Sequence, residues 1–352
     1  MSLDVPASSS GAKPAHDADA HAKDHEGFGL TRPVADASPM AAEAAGFSHD
    51  EARGNKVTRV VTPTIGVGQR LREIWIAREL LVYLVRTEIK VKYKNSTLGL
   101  VWSMVAPAMT LAIYFVVFQL ILGNRMPHFV IFLFAGLLLW NLFSLGVLTG
   151  TGVIVNNSSI VKKVAFPREI LALAAVGSAL VFFSFQAIVM VLFMLVLHAA
   201  PDYSFLPVML LALIAGVVLA CALGVLLSSI NVYMRDMQHL IEVVLTAWFW
   251  ACPIVYAFQS TIAAKLGPKG LTWVYFLNPL VPLVLSFQRA LYGHSTTYAT
   301  VKGVKTTFNV LPTWGYSTYI LLDLAILAIS SVLFLVALSI FGRLEGNFAQ
   351  EL

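Results

Sequence analysis

From residue 98 onward the chain is a series of long apolar runs separated by short polar breaks. The runs fall near 98–122, 129–150, 170–198, 205–230, 240–258 and 317–341. Each is long enough, as a helix, to cross roughly 30 Å of hydrocarbon. The breaks at 123–128 and 199–204 are short, so the runs on either side of them form hairpins. The segment 259–316 is longer and mixed. Within it, WVYFLNPLVPLVLSFQRALY (273–292) is apolar but holds Asn278, Pro279, Pro282 and Arg289. A full span is open there, but two short re-entrant or interfacial helices suit the prolines better, because each proline removes a backbone donor. The pattern predicts an all-α membrane protein of six transmembrane helices.

Upstream the period changes. Over Arg70–Lys94, Leu71, Ile74, Trp75, Leu81, Val82, Val85, Ile89 and Tyr93 recur at helical spacing, with Arg72, Glu79, Arg86, Lys90 and Lys94 opposite. That is an amphipathic helix, basic toward its end, predicted to lie along the cytoplasmic interface rather than to cross. Asn95 and Ser96 supply a turn or cap before the first span. Residues 1–60, rich in Ala, Asp, His, Ser, Pro and Gly, lack apolar periodicity and are expected to be a disordered tail. His16, His21, His25 and His49 lie there without cysteine or metal-ligand spacing and read as solvated. The organisation expected is a tail at 1–60, an interface helix region at 61–97, a six-span domain at 98–345 with its re-entrant segment inside 259–316, and a cytoplasmic tail at 346–352.

Composition supports a bilayer as solvent: 58% of residues are hydrophobic and 12% charged, with mean hydropathy +0.78. Residues 1–97 hold 13 of the 24 Lys/Arg and 12 of the 19 Asp/Glu, so the spans are depleted in charge. The net charge of +5 is read as juxtamembrane basic residues against anionic lipid, not as nucleic-acid binding. Cys221 and Cys252 lie inside apolar runs and read as packing residues. Lys162, Lys163 and Arg168 in the 151–169 loop, and Arg235 near 231–239, place those loops in the cytoplasm; the opposite loops hold Arg125 alone before residue 259. No early apolar region follows a basic start, so the N-terminus is expected to stay cytoplasmic, and an even number of spans, with Arg343 just past the last, returns the C-terminus there in a multi-pass chain.

Chemistry is sparse. There is no GxxxxGK[ST], HExxH, GxSxG or CxxC, and thus no phosphate-cradling loop, catalytic site or metal site to name. Glu242 and Asp323 sit inside predicted spans, near their ends, and read as groups reaching for headgroups or a neighbouring helix more than as an ion path. At 156–171, NNSSIVKKVAFPREIL is a short, stiff, basic loop-helix before Glu169. It suits a surface that receives force from a soluble subunit, and equally an ordinary positive-inside loop. Tyr114, Phe115 and Phe118, Trp140 and Phe143, Phe182, Phe183 and Phe185, and Trp248, Phe249, Trp250 and Tyr256 line up in the spans. Such faces can stack on sugar rings, and they also pack helices.

Taken in order, VRTEIKVKYKNSTLGLVWSMVAPAMT (85–110), NNSSIVKKVAFPREIL (156–171), NVYMRDMQHLIEVVLTAWFWACPIVY (231–256) and LNPLVPLVLSFQRALYG (277–293) resemble the membrane subunit of ABC-type polysaccharide exporters of O-antigen, capsule, teichoic acid or galactan. The resemblance covers about residues 70–345. It implies two copies of this chain paired with two ATPase subunits that bind ATP and magnesium, no cofactor on this chain, and a polyprenyl-pyrophosphate-linked glycan threaded between the copies. It implies Arg86, Lys90, Lys92 and Tyr93 as contacts to the pyrophosphate, and Lys162, Lys163, Pro167, Arg168 and Glu169 as the ATPase-coupling element. Tyr114, Phe118, Trp248, Trp250 and Tyr256 become channel-lining candidates, and Asn278, Pro279 and Arg289 belong to extracellular re-entrant helices. Alternatives are an ABC-type exporter of a small drug-like or lipid molecule and, from another class, a polytopic membrane glycosyltransferase.

Overall fold

The apolar runs become helices because nothing else satisfies a backbone without water. The computed structural model describes residues 66–92, 94, 101–122, 126, 128–164, 166–293, 296–301 and 304–352. The N-terminal tail, Tyr93, the Asn95–Ser96 turn and Arg125 lie outside the described residues. Two helices come first, α1 (Val67–Ile76) and α2 (Arg78–Lys92), then α3 (Trp102–Tyr114), which continues as a π-helical stretch, Phe115–Ile121. There follow α4 (Phe129–Asn156), α5 (Ser158–Lys163), α6 (Glu169–Val196), α7 (Leu206–Tyr233) and α8 (Met237–Trp250). After α9 (Thr272–Tyr275) and α10 (Leu280–Tyr292) come strands β1 (Thr296–Val301) and β2 (Val304–Asn309), then α11 (Tyr316–Leu344) and α12 (Phe348–Glu351).

Among the described residues five helices are long and apolar enough to cross a membrane: Trp102–Ile121, Phe129–Asn156, Glu169–Val196, Tyr203–Tyr233 and Tyr316–Asn347. They match five of the six predicted runs closely. The sixth, 240–258, is not one helix: α8 ends at Trp250 and the chain turns through Cys252, Pro253 and Ile254, all buried. Pro253 supplies the reason, since a proline cannot continue the hydrogen-bond ladder. The strands pair antiparallel, Thr296 opposite Asn309 and Val301 opposite Val304, an addition that the apolar pattern did not signal.

α4 is largely apolar and sits in the middle, wrapped by α6, α7, α8 and α10. Phe132, Phe134 and Phe143 are fully buried along it. Two glycines allow α4 to approach α7: a Cβ on Gly150 would lie 3.1 Å from Gly224 Cα. α10 is buried at every residue but Arg289, and Pro279 stands at its N-cap, where 273–292 divides into α9 and α10; Pro282 lies inside the first turn of α10.

The bundle has two distinct ends. At one, Tyr233 Oη donates to Leu344 O at 2.8 Å and the Phe348 ring lies between Phe341 and Tyr233. The residues 346–352 are therefore packed onto the bundle rather than trailing from it. At the other end Phe205 meets Tyr316 and Tyr319, while Phe258 packs at a tilt on Phe276 and edge-on to Trp314. α7 finishes at the first end and α11 starts at the second. The return between them is made by α8, too short to cross alone at about 21 Å, together with the turns that reach Phe258.

Candidate functional site

Single amides in long apolar runs mark the centre of the molecule. Asn141 of α4 donates through Nδ2 to Gln186 Oε1 of α6 at 2.9 Å. Both lie near mid-helix, at similar distances from the end that holds α5. Two clefts meet at this pair. One, of about 520 Å³, is walled by Trp140, Asn141, Ser144, Gln186, Glu242, Thr246 and Phe249. The other, of about 510 Å³, is walled by Lys92, Trp102, Ser103, Thr110, Tyr114, Asn141, Phe182 and Gln186. Together they form a groove along α4 and α6, flanked by α8 on one side and by α3 with the end of α2 on the other.

The groove offers amides, hydroxyls and aromatic faces, with Lys92 and Glu242 as its charged groups. Trp140 meets Phe249 edge-on at 5.5 Å, which fixes α8 beside α4. The Lys92 ammonium lies 4.0 Å from the centroid of the Phe182 ring, a cation–π contact, and partial burial lowers its pKa. Such a surface can hydrogen-bond and stack on a polar ring without gripping it. It carries no paired nucleophile and base.

The other candidate residues separate by place. Arg86 and Lys90 are exposed on α2, which also exposes Val82 and Tyr83, and α1 exposes Trp75 and Ile76, as suits helices lying on lipid. Tyr93 lies outside the described residues. Lys162 and Lys163 are exposed on α5, beside exposed Ile160 and Val164. Pro167 is half-buried. Arg168 donates to Glu345 O at 3.0 Å, and Glu169 is buried and bonded to Arg70. The five residues of the expected coupling element therefore divide into an outward basic pair and an inward anchor.

Among the aromatic candidates, Tyr114 lines the α3 cleft and Phe118 packs on Tyr114 and Phe129. Trp250 is exposed at the end of α8. Trp248 Nε1 donates to Asn278 Oδ1 at 2.9 Å, and the Tyr256 hydroxyl lies 2.8 Å from that of Tyr275. Asn278 also accepts from Leu280 N at 3.1 Å, which starts α10. Arg289 pairs with Asp202 at 2.9 Å and lies 4.2 Å over the Phe205 ring. Asp323 is buried in α11 and accepts from Ser286 Oγ of α10 at 2.8 Å, a bond to a neighbouring helix, as expected. Glu242 instead faces the groove. Sequence reasoning missed Asn141, Ser144, Gln186 and Arg70; a lone amide inside an apolar run was the available signal for two of them.

The ABC-2 type transporter family model matches residues 79–292, the part of the chain that holds α2 through α10. An O-antigen export system permease protein RfbA of Myxococcus xanthus is 32% identical over 253 residues, covering 70% of this chain and 94% of that protein. An O-antigen export system permease protein RfbA of Klebsiella pneumoniae is 27% identical over 274 residues, covering 78% of this chain and 95% of its own length. With its five apolar helices of spanning length, the chain is a multi-pass membrane protein and a member of the ABC-2 type transporter family.

Proposed function

We propose that this chain is the membrane subunit of an ATP-driven exporter that moves a lipid-linked polysaccharide across the bacterial cytoplasmic membrane. The observation that carries this reading is the groove at Asn141 and Gln186. A carboxylate or amide facing hydrocarbon is costly, roughly 2.5–3.5 kcal/mol for a charge at the centre of a span. The face of exposed Glu242 and Thr246 and half-buried Ser144 is therefore better matched to a water-filled path, and its aromatic rings suit a chain of sugars. A second copy facing this surface would close the groove into a channel. The relatives' names, which speak of O-antigen export, point the same way.

In this reading ATP and magnesium belong to separate ATPase subunits, which dock on Lys162, Lys163 and the apolar residues beside them. The end of the bundle holding α5, Arg235 and the C-terminus faces the cytoplasm, and α9, α10 and the hairpin face outward as the re-entrant region. Lys92, with Arg86, Lys90 and Tyr93, meets the pyrophosphate of the incoming lipid-linked chain. Residues 1–60 form a separate cytoplasmic tail.

The test is transport in vesicles that hold this chain with its ATPase subunit and a lipid-linked glycan inside. ATP-dependent appearance of the glycan at the opposite face is expected, as is accumulation of that glycan in cells depleted of the protein. Release of a small apolar molecule with no glycan movement would favour the drug-like or lipid exporter, and glycan turnover without ATP would favour the transferase.

A further inference from the structure

Arg70 is the buried residue of α1, the opposite of what its helical spacing beside exposed Leu71 and Trp75 would give. Its Nη1 donates both to Glu169, the first residue of α6, and to Glu345 Oε2 at 3.1 Å, just past α11. Glu345 in turn faces Arg168, Oε1 to Nε at 3.7 Å. The guanidinium rests on Gly342, where any Cβ would fall 2.7 Å from it. Burial disfavours the charge, but Glu169 and Glu345 outweigh it and hold the Arg70 pKa above its ordinary value. Two arginines and two glutamates thus join the interface helix, the exit of the basic loop and the C-terminus.

A buried ion cluster is weak evidence for stability, since apolar replacements often hold a fold as well; its better-attested use is to fix register. The register fixed here has a mechanical consequence. Only Ala77 separates α1 from α2, and its N–H bonds back to Glu73 O, so the two helices move as one piece. α2 then lies along α6, with Val85 against Gly177, and ends with Lys92 over Phe182 in the groove. A displacement of the 158–168 loop therefore reaches the groove wall through Arg70 as well as through α6.

We propose that Arg70 is a positioning residue that ties the basic loop to α1–α2, so that movement of the loop shifts Lys92 in the groove. This rests on the reading that an ATPase subunit docks at Lys162 and Lys163. The test uses the complex with that subunit and three variants: the neutral triple Arg70→Met/Glu169→Gln/Glu345→Gln, the swap Arg70→Glu/Glu169→Arg, and Gly342→Ala, which keeps every charge and crowds the guanidinium. The triple variant is expected to assemble and still hydrolyse ATP, yet to export about tenfold less glycan per ATP. The swap should recover part of that ratio and Gly342→Ala should lower it severalfold. A wild-type export-to-ATP ratio in the triple variant and in Gly342→Ala overturns the proposal. So does a loss of assembly and ATP hydrolysis in step with export across all three, which would make Arg70 a folding staple. Failure of the wild-type complex to export glycan sinks the assigned function instead.

Discussion

Asn141 Nδ2 and Gln186 Oε1, 2.9 Å apart, bind α4 to α6 at the point where the two clefts meet. Interhelical hydrogen bonds inside membranes contribute modestly, about 0.6 kcal/mol on average. Stability alone thus gives little reason for two amides at mid-membrane, whereas a polar groove gives a direct one.

Gln186→Leu and Asn141→Leu should separate those two reasons. Each is expected to change the unfolding free energy in detergent by less than about 1 kcal/mol, while export falls about tenfold or more. Export at the wild-type rate from both variants would show that the amide pair is a packing detail.

The Gly150–Gly224 crossing makes an asymmetric prediction. A Cβ at Gly150 meets backbone 3.1 Å away, and backbone cannot rotate aside, so Gly150→Ala should cost about 1–3 kcal/mol as overpacking. A Cβ at Gly224 has no neighbour nearer than 3.8 Å, so Gly224→Ala should be neutral or slightly stabilising, helped by the higher helix propensity of alanine. Unfolding midpoints of the two variants, compared side by side, check the order.

The spans were legible because lipid leaves the sequence few options: apolar length alone placed α4, α6, α7 and α11 within a few residues at most of their ends. The break in α8 was also written in the chain, at Pro253, but apolar content hid it. Arg70 was not legible. A helical wheel sends an isolated arginine to water, and only glutamates 99 and 275 residues away reverse that. The groove was half-legible. Asn141 and Gln186 stand out as lone amides, but their meeting depends on how α4 and α6 cross. Trp248 and Tyr256 show the converse limit: aromatic content flagged them, and the fold gives their polar atoms to Asn278 and Tyr275.

At the far end, Asp202 should give a pH signature. The Ser204 hydroxyl donates to its carboxylate, partial burial opposes, and Arg289 adds to the effect, so its pKa is lowered from 3.8. A depressed carboxylate stabilises the fold above its unfolded value near 3.8, and that stabilisation is lost as pH falls through the lower folded value. Wild type is expected to lose more thermal stability between about pH 6 and about pH 3 than Asp202→Asn does, by at most about 1 kcal/mol for a half-buried pair still open to solvent. Parallel slopes for the two proteins would remove Asp202 from the account.

Lys92 joins a stability effect and a transport effect of opposite sign. Partial burial lowers its pKa from 10.5, so holding it charged at neutral pH works against folding. Between its lowered value and 10.5 the unfolded chain binds more protons, and stability should rise with pH across that window. Lys92→Met removes the penalty and is expected to unfold no more easily than wild type at neutral pH. The same change takes the cation out of the cleft over Phe182, and export should fall about tenfold. Lys92→Arg should retain most export, because a guanidinium stays charged and stacks on the same ring. Thermal unfolding and vesicle transport on these two variants decide the matter: a Lys92→Met protein that is less stable yet fully active would assign the residue to packing.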